Sequence, residues 1–144
     1  MRTKKTGFLL MAAVVAGLAS CAPAVSSSAP QPPPARMEHI GSGDALSVVV
    51  TPLGARRIGI KTAAAVARGS LVVIPYGALL YEPNGQTAVY VKLSALVYTR
   101  RFVSVSGING NSVLLTGGLR PGTEVVIQGG EELLGVQNGV GVET

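Results

Sequence analysis

The chain has 144 residues, of which 47% are hydrophobic, with one cysteine and no tryptophan. This length fits one small domain with short flanking segments, and a single cysteine excludes an internal disulfide. The net charge of +5 depends on three basic residues within the first five; without them nine basic residues face seven acidic ones, a net charge of +2. Basic residues cluster only as the pairs Arg56-Arg57 and Arg100-Arg101, so nucleic-acid binding has little support.

The first predicted element is a secretory signal peptide over residues 1–20. Arg2, Lys4 and Lys5 precede the uncharged run GFLLMAAVVAG, which is shorter than the roughly 20 apolar residues that a membrane-spanning helix needs. Small residues then lead to Cys21. This order is typical of a cleaved signal, so the segment is excluded from the fold.

Cys21 is the predicted lipidation site. Leu18-Ala19-Ser20-Cys21 resembles the bacterial lipobox, which implies a diacylglyceryl group and further acyl chains such as palmitate on a cysteine that becomes the mature N-terminus. Two or three acyl chains hold a domain on a membrane where one does not, since each buried CH₂ contributes about 0.8 kcal/mol. Ala22 implies outer-membrane sorting in a Gram-negative host, with the inner membrane as the alternative. An ordinary signal peptide with a chance cysteine is the other interpretation.

A tether is predicted over residues 21–39. Pro, Ser and Ala dominate it, and Pro32-Pro33-Pro34 favours extended polyproline geometry. Such a segment holds too little apolar surface for a core, and we expect it to keep the folded part away from the lipid headgroups. A disordered leader without that role is the alternative.

Residues 40–144 are predicted to form one all-β domain, a small β-barrel or sandwich of short antiparallel strands. Valine-rich and alternating runs are separated by Gly, Pro and Asn turns. The predicted strands cover residues 46–51, 59–68, 71–74, 78–81, 87–93, 97–105, 112–116 and 124–128, with a last edge strand over 135–144. Single helical turns are predicted over residues 54–58 and 131–134. Alternation in residues 87–93 places Val89 and Val91 on one face and Tyr90 on the other.

The order of these elements carries a second resemblance. An apolar strand ends in Pro75, an Asn-Gly turn precedes Val89-Tyr90-Val91, and an arginine-bearing strand runs from Arg100 to Gly107. An Asn-Gly hairpin and the run Gly118–Val126, GLRPGTEVV, follow in the same order. The stretch VVVTPLGARRIGIKTAAA at residues 48–65 is similar to a lead-in from a neighbouring β-domain. Together they resemble the C-terminal membrane-proximal domain of periplasmic adaptors, also called membrane fusion proteins, of tripartite efflux pumps.

This resemblance implies docking on a resistance-nodulation-division (RND) inner-membrane transporter or on full-length adaptor subunits, and it leaves room for a homo-oligomer. The candidate partner contacts are Tyr81, Tyr98, Arg100, Arg101, Glu131 and Glu132. The plainer alternative is that the arginines lie on a solvated strand face while Tyr90 and Phe102 are core residues. No heptad run and no lipoyl-like segment is seen, so we expect an accessory or stand-alone module rather than a complete adaptor.

Catalysis has little support in the sequence. His39 is the sole histidine and Asp44 the sole aspartate, and both lie near the predicted tether. No nucleophile elbow, metal-ligand cluster or phosphate-binding glycine pattern is present. We therefore expect no enzyme activity and no cofactor beyond the covalent lipid on Cys21. The alternative to an efflux role is a structural or ligand-binding cell-envelope lipoprotein.

Overall fold

A computed structural model describes residues 33–40 and 46–140. The signal peptide, Cys21 and residues 21–32 of the tether lie outside the described residues. The strands are β1 Ala35–His39, β2 Leu46–Val50, β3 Lys61–Ala64, β4 Val66–Arg68, β5 Leu71–Pro75, β6 Leu80–Tyr81, β7 Thr87–Ser94, β8 Val97–Phe102, β9 Ser104–Asn109, β10 Ser112–Gly117 and β11 Glu124–Gln128. The helices are α1 Pro52–Ile58 and α2 Gly130–Gln137, and a 3₁₀ turn covers Tyr76–Ala78.

The strands form two antiparallel sheets, which confirms the all-β prediction. The first sheet has the order β1-β2-β8-β7-β11-β3, with β6 paired to β7, and the second has the order β4-β5-β10-β9. Neither sheet closes into a barrel. Residues 35–39, which we assigned to the tether, form β1 and pair with β2 from Ala35–Val50 to His39–Leu46. Ala35 is buried against Val48 and Val50, and β1 covers an edge that β2 would otherwise leave unpaired.

One core lies between the two sheets. Val89 and Val91 of β7 and Val125 of β11 face Ile74 of β5 and Val113 of β10, and all are buried. A second core lies on the other face of the first sheet. It contains Ala35, Val48, Val50, Leu80, Tyr90, Tyr98, Val126 and Leu133, with Ala55 and Ile58 of α1 and Leu134 and Val136 of α2 packed against it. The central strands are therefore covered on both faces, as the alternation in β7 predicts for Val89, Val91 and Tyr90.

Helix α1 has local signals at both ends. The hydroxyl oxygen of Thr51 accepts a 3.0 Å hydrogen bond from the N–H of Gly54, and Pro52 occupies the first turn. Gly59 ends the helix with φ +70°, which glycine adopts at least cost. The helical turn predicted over residues 54–58 is thus confirmed and begins two residues earlier.

Several predicted strands differ from the structure. The strand expected over residues 59–68 is divided at Ala65, where the chain passes from β3 in the first sheet to β4 in the second, and the strand expected over 78–81 is reduced to β6. The strand expected over residues 97–105 is divided at Val103, where the chain passes from β8 in the first sheet to β9 in the second. The edge strand expected from Gly135 is wrong over residues 135–140, since residues 135–137 continue α2 and residues 138–140 form a turn. Leu133 is fully buried and Leu134 and Val136 pack beside it, so burial in the second core favours a helix here.

Candidate partner-binding surface

An open groove lies where β6, the 3₁₀ turn, the end of β11 and the start of α2 meet. Its volume is about 380 Å³. It is lined by Tyr76, Gly77, Leu79, Leu80, Tyr81 and residues 127–132. The groove brings together three of the six predicted contact residues, Tyr81, Glu131 and Glu132, from segments fifty residues apart in the chain.

The aromatic side of the groove consists of Tyr76 and Tyr81, whose exposed fractions are 42% and 57%. The neighbouring Tyr76 side chain raises the pKa of Tyr81. Tyr76 was not among the predicted contacts. The sequence signal that could have identified Tyr76 is its position directly after Pro75, which ends a strand. A turn at that point directs the aromatic ring toward solvent.

Two glycines allow the groove walls to approach each other. A Cβ atom on Gly77 would lie 2.8 Å from the carbonyl oxygen of Ile127, so only glycine lets the 3₁₀ turn pack on β11. Gly129 has φ +90°, and a Cβ there would lie 2.7 Å from Cγ2 of Ile58. The chain can therefore turn sharply from β11 into α2 while α1 packs against the turn.

The acidic side of the groove consists of Glu131 and Glu132 in the first turn of α2, both exposed. Carboxylates at this end interact favourably with the helix dipole, which gives them a structural role as well. They are the only charged side chains among the described residues that line the groove. An exposed tyrosine pair beside two carboxylates suits an arginine or lysine side chain of a partner.

The two arginines of β8, Arg100 and Arg101, point to opposite faces of the first sheet. Arg100 is opposite Tyr90 on the face of the second core, and its guanidinium lies 3.0 Å from a carboxylate oxygen of Glu82. Its Cζ is 5.3 Å from the centre of the Phe102 ring. Arg101 is opposite Val89, on the face that carries the second sheet, and is exposed. Arg100 is thus already engaged within the domain, whereas Arg101 is accessible but outside the groove.

Tyr98, which we expected on the surface, is a core residue with 5% exposure. Burial raises the pKa of Tyr98, against a smaller opposing effect of Lys92. Its ring belongs to the second core because β2 and β8 pair, which places Val48 directly opposite Tyr98. Phe102, which the alternative interpretation placed in the core, is 48% exposed. Ala88 pairs with Phe102 on one side and with Leu80 on the other, so Phe102 lies near the groove.

The described part of the chain contains neither a metal-binding cluster nor a membrane-spanning helix. No group of three or more His, Cys, Asp or Glu side chains is placed there to hold a metal ion. Neither described helix has the length and apolar character needed to cross a bilayer. Cys21 and Asp44 lie outside the described residues.

One family model matches part of the chain. Residues 70–132 match the family model described as the C-terminal permuted SH3 domain of RND membrane fusion proteins. The match runs from just before β5 into the first turn of α2, and it confirms the resemblance drawn from the sequence. The lead-in at residues 48–65 lies outside the matched region. No curated protein and no solved structure matches the chain significantly.

Proposed function

We propose that this chain, whose residues 70–132 form a C-terminal domain of the RND membrane fusion protein type, is a lipid-anchored, adaptor-like subunit or accessory of an RND efflux transporter. The family match over residues 70–132 carries the proposal. Membrane fusion proteins of this kind are periplasmic and associated with the cell envelope. The chain acts by docking on the transporter or on full-length adaptor subunits, and it catalyses no reaction.

The groove supports docking on a basic partner surface. Tyr76 and Tyr81 offer ring faces to a guanidinium or ammonium group, and Glu131 and Glu132 offer carboxylates to the same group. Tyrosine and arginine are also common anchors of protein interfaces. The occupant is therefore an exposed arginine- or lysine-bearing segment of the transporter's periplasmic part.

Lipidation of Cys21 holds the domain at the membrane in this proposal. A mass measurement of the N-terminal peptide of the mature protein tests it directly. We expect Cys21 as the first residue, carrying a diacylglyceryl group and a further acyl chain, and Cys21→Ser should abolish both the lipid and the cleavage before position 21. An unmodified Cys21 in the mature protein would refute the anchor.

Affinity capture of the tagged protein from detergent-solubilised membranes tests the docking. We expect an RND transporter to be recovered with the wild type, and several times less of it with Tyr81→Ala or with Glu131→Gln and Glu132→Gln combined. Ile108→Ala is the matched control, since Ile108 is 49% exposed on β9 outside the groove. Thermal unfolding of each variant excludes misfolding. Failure of the wild type to recover any transporter would instead favour a structural envelope lipoprotein.

A further inference from the structure

The start of β1, which follows Cys21 and the tether in the sequence, lies at one end of the first sheet. The carbonyl oxygen of Pro34, just before β1, accepts a 2.9 Å hydrogen bond from the N–H of Thr51. The N–H of Val50 donates another of 2.9 Å to the carbonyl oxygen of Leu96 in the turn between β7 and β8. The start of β1, the start of α1 and the β7–β8 turn therefore lie together.

This end exposes leucines. Leu53 in the first turn of α1 is 43% exposed, and Leu93 near the end of β7 is 48% exposed. Leu96 has φ +64°, and it is the one residue other than glycine with a positive φ in the described part of the chain. Glycine or asparagine adopts that conformation more readily, so a leucine is kept where the backbone disfavours it. Such outliers concentrate at functional sites. We call the exposed Leu53 and Leu93, together with the half-buried Leu96, the leucine tip.

Two arginines adjoin the leucine tip. Arg56 and Arg57 follow Leu53 by three and four positions, so the three residues share the exposed face of α1, while Gly54 and Ile58 face inward. Neither arginine forms an ion pair with any other described residue. Helix α1 has no acidic residue that would offset their charge. The surface thus combines exposed leucines with unpaired positive charge.

Exposed leucines beside basic residues suit a membrane interface, where apolar side chains enter the headgroup region and cations attract anionic lipid. We propose that the leucine tip rests in the headgroup region of an anionic phospholipid bilayer, with Arg56 and Arg57 on lipid phosphates. This inference rests on the proposed function, because the acylated Cys21 brings the tip to the bilayer. Residues 22–32 can span at most about 40 Å, which limits how far the start of β1, beside the tip, can be from the anchor.

The contact would orient the docking groove. Tyr81 pairs with Thr87, the first residue of β7, whereas Leu93 is close to its last residue, Ser94. The groove and the leucine tip therefore lie at opposite ends of β7. A domain resting on its leucine tip presents the groove away from the bilayer, toward the periplasm and the transporter.

A single-tryptophan experiment tests the contact, because the chain has no tryptophan of its own. The acylated variant Leu93→Trp is reconstituted in vesicles of phosphatidylcholine and phosphatidylglycerol, with and without brominated lipid. The matched control is Ile108→Trp, which lies toward the groove end, since the N–H of Tyr76 contacts the carbonyl of Asn111 in its hairpin at 2.9 Å. We expect a blue-shifted emission that brominated lipid quenches severalfold more for Leu93→Trp than for Ile108→Trp. Equal quenching of the two, or none, would overturn the contact.

Charge is tested in the same assay. Adding Arg56→Gln and Arg57→Gln to Leu93→Trp should reduce quenching in the mixed vesicles and change it little in phosphatidylcholine alone. Equal quenching with and without the two substitutions, in both vesicle types, would show that Arg56 and Arg57 take no part in the contact.

Failure of the anchor and failure of the contact give different results. The acyl group is measured by the mass of the N-terminal peptide, and the contact is measured by quenching at residue 93. A photo-reactive group placed at position 93 in cells shows whether the neighbour of this position is a lipid or a protein. Cross-linked lipid supports the proposal, and a cross-linked protein in its place would make the tip a protein-binding surface and overturn it.

Discussion

The guanidinium of Arg100 lies 3.0 Å from the carboxylate of Glu82, and their side chains are only 24% and 9% exposed. The pair joins β8 to the turn between β6 and β7, and the Phe102 ring covers the guanidinium from 5.3 Å. An arginine that the sequence marked as a partner contact therefore stabilises the domain that presents the groove. Removing one partner leaves the other charge largely buried and uncompensated.

Glu82→Gln should accordingly lower the free energy of unfolding by about 1–3 kcal/mol, the cost of an unsatisfied buried group. Urea unfolding measures it. The matched control is Glu38→Gln, whose pair with Arg36 is 41% and 57% exposed, and there we expect less than about 1 kcal/mol. Equal losses in the two variants would show that burial does not set the strength of the Arg100 pair.

Tyr90→Phe should lower the free energy of unfolding by about 1 kcal/mol. The Tyr90 hydroxyl donates a 2.6 Å hydrogen bond to Oε1 of Gln137, which ties α2 to β7. Tyr98→Phe serves as the control, because Tyr98 is buried in the same core and makes no contact with Gln137 like that of the Tyr90 hydroxyl. Thermal or urea unfolding of both variants measures the difference. A larger loss of unfolding free energy in Tyr98→Phe than in Tyr90→Phe would contradict the role of the Gln137 contact.

Alkaline pH should destabilise the domain partly through Tyr90. Burial raises the pKa of Tyr90 well above its ordinary value of about 10, a nearby Glu82 adds to this, and Arg100 opposes it. Above pH of about 10 the unfolded chain loses this proton while the folded one keeps it, so stability falls as pH rises. Tyr90→Phe should lose stability less steeply above that pH. Identical slopes for the variant and the wild type would argue against a buried, protonated Tyr90.

Gly77→Ala should destabilise the domain by about 1–3 kcal/mol, because its Cβ would lie 2.8 Å from the carbonyl oxygen of Ile127. Gly107→Ala is the matched control: it lies in β9, and no atom is within 4 Å of the position its Cβ would take. That change should be neutral or stabilising, since alanine restricts the unfolded chain. A neutral Gly77→Ala would mean that the groove wall moves freely, which would weaken the case for a preformed site.

Structural features that depend only on residues close together in the sequence could be predicted from it. The alternation of Val89, Tyr90 and Val91 requires opposite faces, whichever strands lie beside them. The Asn-Gly turn at Gly110, where φ is +57°, follows from the tolerance of glycine for that conformation. The order of such elements also carried the family resemblance, which the match over residues 70–132 confirmed.

Features that depend on distant segments were decided by the tertiary structure. Tyr98 is buried because β2 pairs with β8, and residues 35–39 form a strand because β2 offers them an edge. The groove exists because the turn at Tyr76 meets the start of α2 at Gly130. Local patterns report which residues favour a strand or a turn, but the partner across a sheet is chosen by burial of the whole chain, and no short stretch carries that information.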